Sequence, residues 1–205
     1  MDTTTLAAFL AVDLLLVFTP GADWAYAISA GLRGRSVVPA VTGLIAGHAA
    51  YALVAVAGLA VIVASSPAAL TALTVAGAGY LLWLGWDVLR QPAVPAAAGE
   101  NTGASRLQVM LKGAGISGLN PKALLLYFSL FPQFIDPATG WPVAAQTGLL
   151  STVRLTACAV VYLAVGVLAR TVLSTRPSAS HAVTRVSGAM MIAIGAFLLV
   201  ERLAG

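Results

Sequence analysis

Charged residues are scarce in this sequence, at 9% of 205 residues, whereas a soluble domain has about 25%. Hydrophobic residues make up 60% of the chain, and its mean hydropathy is +0.94. A soluble chain of this length would need more charges to cover its surface, so lipid must replace water as the solvent over much of it. The net charge of +4 comes from basic residues that fall singly between apolar runs. That placement excludes the basic stripe expected of a nucleic-acid-binding protein.

Cysteine and histidine are almost absent as well. Cys158 has no second cysteine to pair with, which excludes an intramolecular disulfide and a C-x-x-C redox motif. His48 and His181 belong to no H-E-x-x-H sequence or recognisable hydrolase motif, and two distant histidines with one cysteine cannot form a metal-ligand cluster. We therefore expect no enzyme, no metal site and no cofactor.

Long apolar runs are what the sequence has in abundance. A membrane helix needs about 20 apolar residues, and barrel strands would alternate in polarity over about 10 residues, a pattern that is missing here. We predict six membrane-spanning helices at residues 6–30, 39–63, 67–89, 107–134, 142–169 and 183–200. The first run follows no positively charged segment and precedes no clear cleavage site, so we expect a retained span rather than a signal peptide.

The basic residues alternate between the two sides of the membrane. The loops after spans 2 and 4 contain no Lys or Arg, and the second of them carries Asp136. The loops after spans 1, 3 and 5 carry Arg33, Arg35, Arg90, Arg106, Lys112, Arg170, Arg176 and Arg185. Because positive loops stay in the cytoplasm, we predict an inner-membrane protein with both termini outside.

The two halves of the sequence look like repeats. A linker rich in Pro, Ala and Gly at residues 91–106 separates three spans at residues 1–90 from three more at residues 107–205. The halves share Thr19-Pro20-Gly21 with Asn120-Pro121-Lys122, Thr42-Gly43-Leu44 with Thr147-Gly148-Leu149, and Gly77-Ala78 with Gly188-Ala189. Because three is odd, the second half enters the membrane inverted. We predict an all-α membrane protein of two inverted three-helix repeats.

Helices 1 and 4 are predicted to be broken. Pro20 lacks an amide hydrogen and Gly21 adds backbone freedom, while Asn120 and Pro121 are typical of a helix cap and a first helical position. Matching breaks in two repeats mark the binding site of a transporter. The restarted helix carries partial positive charge at its beginning, so we hypothesise that it binds a carboxylate with help from Lys122.

Five ionisable residues lie within the predicted spans, where a charge costs about 3 kcal/mol on insertion scales. Asp23, just after the first break, could bind an ammonium group, take a proton or pair with Lys122. Asp13 is seven residues before Pro20 and faces the same way. His48 titrates near neutral pH and is a candidate for coupling, although a packed core histidine is the more ordinary interpretation. Arg154 is left open between substrate contact and snorkelling to the outer mouth of span 5.

At these motifs a family resemblance appears. The sequence resembles the LysE/RhtB family of amino-acid exporters in Thr19-Pro20-Gly21-Ala22-Asp23, Gly118-Leu119-Asn120-Pro121-Lys122 and Phe131-Pro132-Gln133-Phe134-Ile135-Asp136-Pro137. The order and spacing match along almost the whole chain. The chain departs from the family at Ala22, where a second proline is usual, and at Arg154. The resemblance implies a six-span secondary exporter driven by the proton or ion gradient.

We therefore expect a secondary transporter that exports amino acids or close derivatives, with the bilayer and an ion gradient as its other partners. One alternative is an exporter of a cation or another small solute, although the spans have few acidic or sulfur ligands. A membrane scaffold is another, but it does not account for the matched breaks. We expect the G-x-x-x-G sequence from Gly43 to Gly47 to pack helices within the monomer rather than to form a dimer face. A homo-oligomer is left open.

The alternating charges predict the topology directly. Reporter fusions at Arg33, Gly99 and Arg176 should report the cytoplasm, and fusions at Ser66 and Gly140 should report the outside, because positive loops are retained inside. A cytoplasmic reporter at Ser66 would contradict this orientation.

Overall fold

The computed structural model describes residues 1–32, 37–65 and 105–169, together with isolated residues between 68 and 90 and between 189 and 200. The regular elements of these parts are all helical, which confirms the predicted all-α class for them. They are α1 (Thr3–Val17), α2 (Ala22–Leu32), α3 (Val37–Ser65), α4 (Arg106–Gly118), α5 (Pro121–Ser129) and α6 (Val143–Leu168), with 3-10 turns at Phe131–Phe134 and Pro137–Thr139.

Several predictions fall on the remainder of the chain. Spans 67–89 and 183–200 lie outside the described residues except at isolated positions, as do nearly all of the linker at 91–106 and the basic positions 33 and 35. The count of six spans, the inverted repeat and the division into two halves therefore stay predictions.

Three of the predicted spans have the length and apolarity that a bilayer requires. Val37–Gly58 within α3 and the whole of α6 are each long and apolar enough to cross, in agreement with the predicted spans 39–63 and 142–169. The predicted span 6–30 is divided into α1 and α2, which pass the same criterion together and are bent by 60°. With 13 and 9 residues, α4 and α5 are each too short to cross alone.

Two helices begin at caps that the local sequence dictates. The Asp2 carboxylate accepts a hydrogen bond of 2.7 Å from the Thr5 amide at the start of α1, and the bonds from Thr5 hold the pKa of Asp2 below its ordinary value. At the start of α4, Ser105 and Gln108 form a reciprocal capping box with bonds of 2.8 and 3.2 Å. The helix thus begins one residue before the predicted boundary.

Among the described helices, α3 has its most extensive contact with α4, through glycines. A Cβ atom added to Gly43 would overlap the Met110 carbonyl, and one added to Gly47 would lie 2.6 Å from the Gly118 nitrogen. On the facing helix, a Cβ on Gly113 would lie 2.7 Å from the Ala40 oxygen. The G-x-x-x-G sequence therefore brings two backbones together within the monomer, as predicted.

Buried apolar side chains form two clusters beside these contacts. In one, Phe9 of α1 meets the rings of Phe131 and Phe134 edge to face, with centroids 5.3 Å apart in both pairs. In the other, Val17, Leu44 and other side chains of α1, α2, α3 and α6 pack together. Ionisable side chains are buried alongside both clusters, and they form the site described next.

The close approach of α3 and α4 predicts the effect of one added methyl group. Gly47→Ala should lower the free energy of unfolding by about 1–3 kcal/mol, because the facing backbone must move to admit the methyl group. Gly58→Ala on the same helix is the matched control, since nothing lies within 4 Å of its Cβ position. The measurement is thermal unfolding of purified protein in detergent. Equal stability of the two variants would contradict this packing.

Candidate functional site

At the first helix break, Thr19-Pro20-Gly21, nearby donors bond to the backbone carbonyls that have lost their partners within the helix. The Leu15 carbonyl accepts a bond of 2.9 Å from the Thr19 hydroxyl, and the Val17 carbonyl accepts one of 2.8 Å from the Trp24 indole. The Thr19 amide donates to the Leu16 carbonyl at 3.2 Å. Unpaired backbone groups cost several kcal/mol each in hydrocarbon, so these local bonds make the break tolerable.

The second break, between α4 and α5, has the predicted cap. The Asn120 side chain accepts a bond of 3.1 Å from the Lys122 amide, and Pro121 occupies the first helical position. At the end of α4, the Gly118 carbonyl accepts a bond of 2.7 Å from the Tyr51 hydroxyl of α3. One helix therefore ends and the next begins at Asn120-Pro121, as predicted, while a fourth span made of both helices stays a prediction.

The Lys122 side chain joins the two breaks. Its Nζ donates to the carbonyl oxygens of Thr19 at 3.0 Å and Leu16 at 3.3 Å, and a Cβ added to Gly21 would lie 3.9 Å from it. The two breaks are therefore adjacent. In this structure the ammonium group therefore binds the carbonyl end of α1, a role different from the hypothesised one of holding a substrate carboxylate.

Asp23 forms a buried cluster with side chains of α3 and α6. Its Oδ2 lies 3.1 Å from His48 Nε2 and accepts a bond of 3.1 Å from the Tyr162 hydroxyl. The hydroxyl oxygen is also 3.5 Å from His48 Nε2. Asp23 is 5% exposed and His48 is 1% exposed. Asp23 thus makes its hydrogen bonds with His48 and Tyr162, while Lys122 acts on it through electrostatic attraction.

Of the two roles left open for Arg154, snorkelling is contradicted by the structure. Arg154 is buried at 3% exposure, and its Nη1 donates to Oδ1 of the fully buried Asp13 at 2.5 Å. The guanidinium carbon also lies 5.4 Å from the centroid of the Tyr127 ring. The Arg154 side chain points inward because the buried Asp13 carboxylate requires a cationic partner.

The five ionisable residues form one electrostatically balanced group. Asp13 and Asp23 carry negative charge, Lys122 and Arg154 carry positive charge, and the two sets balance when His48 is neutral. Arg154 and Asp13 act electrostatically on His48, and Arg154 acts on Lys122. A balanced set of charges can remain buried where an excess of one sign would be costly.

Water and solutes have no open route to this group through the cavity next to α1. A cavity of about 390 Å³ lies between α1 and α6, but apolar side chains such as Leu10, Leu14 and Val160 line it, and no predicted site residue does. The acids and His48 are all buried. The acids and His48 are therefore shielded from solvent in this structure, an arrangement called the closed state below.

Sequence analysis missed the polar face of α6. Besides Gln146, five of its buried residues carry polar or ionisable groups and are spaced three or four apart in an otherwise apolar helix, which is the helical period and was available as a signal. They are Thr147, Ser151, Arg154, Cys158 and Tyr162. Tyr127 on α5 was also missed, because a single tyrosine in an apolar run carries no such pattern. In the part of the chain that is described, no three His, Cys, Asp or Glu side chains are grouped to bind a metal ion.

Comparison with known proteins places this geometry in a family. The model of the LysE type translocator family matches residues 14–202. The chain belongs to that family. Membership confirms the resemblance found in the sequence, and it confirms a membrane transporter rather than an enzyme. No solved structure matches this translocator.

Individual relatives extend the comparison. Over 152 residues the translocator is 32% identical to an uncharacterized membrane protein of Vibrio cholerae, covering 73% of this chain and 74% of that one. It is 34% identical to a leucine efflux protein of Enterobacter sp. over 59% of each chain. It is 29% identical to a homoserine/homoserine lactone efflux protein of Salmonella typhimurium over 95% of this chain and 96% of that protein.

The bridge between the breaks predicts the effect of removing its charge. Lys122→Met should lower the free energy of unfolding by about 1–3 kcal/mol, because the Thr19 carbonyl loses its buried donor. Amide hydrogen exchange should rise at residues 17–24. Arg106→Met, at an exposed position on α4, is the matched control and should leave both measurements near the wild-type values. Wild-type exchange in Lys122→Met would contradict the bridge.

Proposed function

We propose that this translocator exports small amino acids or close derivatives across the inner membrane, in exchange for protons. The observation that carries the proposal is the buried, balanced group of charges where two helix breaks meet. Such breaks are tolerated where backbone lines a site or lies within protein, and they mark binding sites in transporters of repeat architecture. The relatives named as leucine and homoserine efflux proteins support the same substrate class.

Asp23 is the proposed partner of the substrate ammonium group. His48 and Tyr162 bind its Oδ2, whereas Oδ1 is buried and makes no hydrogen bond. A carboxylate accepts several hydrogen bonds, so Oδ1 can receive an ammonium N–H without loss of the bonds to Oδ2. The two neighbours hold the carboxylate in place while it binds.

Asp23 and His48 together are the proposed proton-coupling site. A proton on Asp23 removes the negative charge that the substrate ammonium group needs, and His48 lies within 3.1 Å to exchange that proton. The proton and the ammonium group therefore compete for one carboxylate. Mutual exclusion of this kind is what exchange requires, because each side of the membrane then loads either the solute or the proton. Arg154 and Asp13 also act electrostatically on His48, and they therefore influence how readily His48 binds the proton.

The helix breaks are the proposed hinges of alternating access. The 60° bend between α1 and α2 and the cap at Asn120 let the half-helices move as short rigid units. Lys122 ties their motions together across the two breaks. This proposal requires the repeats at residues 1–90 and 107–205 to be inverted with respect to each other, with both termini outside the cell.

Efflux from cells loaded with dipeptides tests the proposal. Cells that contain the translocator should export labelled L-leucine or L-homoserine faster than cells without it. Asp23→Asn should reduce that efflux by about tenfold or more, because a charge-assisted bond to the ammonium group is lost. His48→Gln should retain part of the efflux but weaken its dependence on pH, because one of the two groups proposed to take the proton is lost.

Asp2→Asn is the matched control, since Asp2 caps α1 far from the charged group and asparagine also caps helices. All variants are compared at equal amounts in the membrane. Normal efflux by Asp23→Asn would overturn the coupling site. A wild-type chain that exports no amino acid would overturn the substrate class and leave an exporter of another small solute.

A further inference from the structure

Seven buried side-chain atoms in the described helices have no hydrogen-bond partner. They are Asp13 Oδ2, Asp23 Oδ1, His48 Nδ1, Ser117 Oγ, Tyr127 Oη, Ser151 Oγ and Arg154 Nε. Buried polar atoms are nearly always paired in proteins, and a group of unpaired ones requires an explanation. All but one of them belong to the charged group or to side chains on the same helices α5 and α6.

We infer that Arg154, Tyr127 and Ser151 form the subsite that binds the carboxylate of the exported amino acid. This inference rests on the proposed function and adds the half of the substrate that Asp23 does not bind. Each of the three residues offers an unused donor: a guanidinium Nε–H and two hydroxyl groups. Each is at least nine-tenths buried, so an incoming carboxylate would be shielded from water.

The three donors come from two neighbouring helices. Ser151 and Arg154 lie three residues apart on α6, which places them on one face of the helix. The Tyr127 ring of α5 lies against the Arg154 guanidinium, 5.4 Å from its central carbon. The same ring is 6.3 Å from the His48 ring, which pairs with Asp23. The two proposed subsites are therefore neighbours, linked through Tyr127 and His48.

The ion pair with Asp13 leaves Arg154 available for a second carboxylate. The pair consists of one bond, from Nη1 to Oδ1, and leaves Nε and Oδ2 without partners. An arginine devoted to a structural carboxylate commonly makes two parallel bonds. Here Asp13 neutralises the Arg154 guanidinium in the closed state, while the Arg154 Nε–H stays free for the substrate.

The charge balance selects a zwitterion as the ligand. Two acids and two permanent cations already balance, so an amino acid with no net charge adds no uncompensated charge to the buried group. An amine or a free carboxylic acid would add one, at a large desolvation cost. Lys122 does not take part in this subsite, because its ammonium group binds the carbonyls of Leu16 and Thr19.

The Tyr127→Phe variant should change substrate binding without lowering the stability of the protein. The hydroxyl has no partner in the closed state, so Tyr127→Phe should unfold at the same temperature as wild type or higher. Binding of L-leucine to purified protein should nevertheless weaken by about tenfold. L-Leucinamide, which lacks the carboxylate, should compete poorly with L-leucine in the wild type, and this preference should shrink in Tyr127→Phe.

Tyr51→Phe is the matched control. Its hydroxyl donates to the Gly118 carbonyl, so the variant should lose stability but keep the preference for L-leucine over L-leucinamide. Ser151→Ala should behave like Tyr127→Phe. Thr152→Ala, next to it on α6, should behave like wild type in binding, because the Thr152 hydroxyl is exposed and bonds within its own helix.

A double variant tests whether Arg154 merely neutralises Asp13. Arg154→Gln alone should insert poorly, because it leaves a buried carboxylate without its cation. Asp13→Asn combined with Arg154→Gln removes both charges and should restore the membrane level and thermal stability. If Arg154 binds the substrate carboxylate, the double variant still discriminates poorly between L-leucine and L-leucinamide. Restored discrimination in the double variant would overturn the inference.

The outcomes distinguish this inference from the proposed function. A wild-type protein that binds and exports L-leucine or L-homoserine, while Tyr127→Phe and the double variant keep full preference for the carboxylate, overturns the subsite alone. Failure of the wild type to bind or export any amino acid overturns the proposed function, and the subsite with it. Stable variants that lose the preference support both.

Discussion

A helix that is interrupted inside an apolar protein must find hydrogen-bond partners for the backbone groups it releases, and in this translocator that requirement decides which helices meet. Trp24 and Thr19 pair carbonyls of α1 locally, and Lys122 reaches the same helix end from α5. Tyr51 of α3 closes the end of α4. The breaks are therefore junctions at which separate parts of the chain are joined.

The buried charged side chains also require partners, and leaving one of them unpaired costs more than leaving a backbone group unpaired. Arg154 on α6 pairs with Asp13 on α1, and Asp23 on α2 takes partners from α3 and α6. The Arg154–Asp13 and Tyr162–Asp23 contacts join helices that are far apart in the sequence, so these side chains specify the arrangement of the helices as well as any chemistry. The pairs are also incomplete, with oxygen and nitrogen atoms left unused, and a purely structural cluster would gain by closing those bonds.

Close packing and freedom of movement meet at the same helices. Glycines hold the backbones of α3 and α4 in contact, which gives the translocator a rigid wall beside the breaks. The half-helices α1, α2, α4 and α5 are short, with 9 to 15 residues each. Short segments beside closely packed helices suit the alternating access proposed for this translocator.

The sequence by itself determined what depends on neighbouring residues. Helix propensity and capping are local, so residues a few positions apart predict the lengths of α3 and α6, the break at Pro20 and the Asn120 cap. The same local pattern places Asp23 within an apolar run. Only the tertiary structure decided the partners. Lys122 and Leu16 are 106 residues apart, Arg154 and Asp13 are 141 apart, and Tyr162 and Asp23 are 139 apart. A buried charge must find a partner, but which one it finds depends on the helix that packing places beside it.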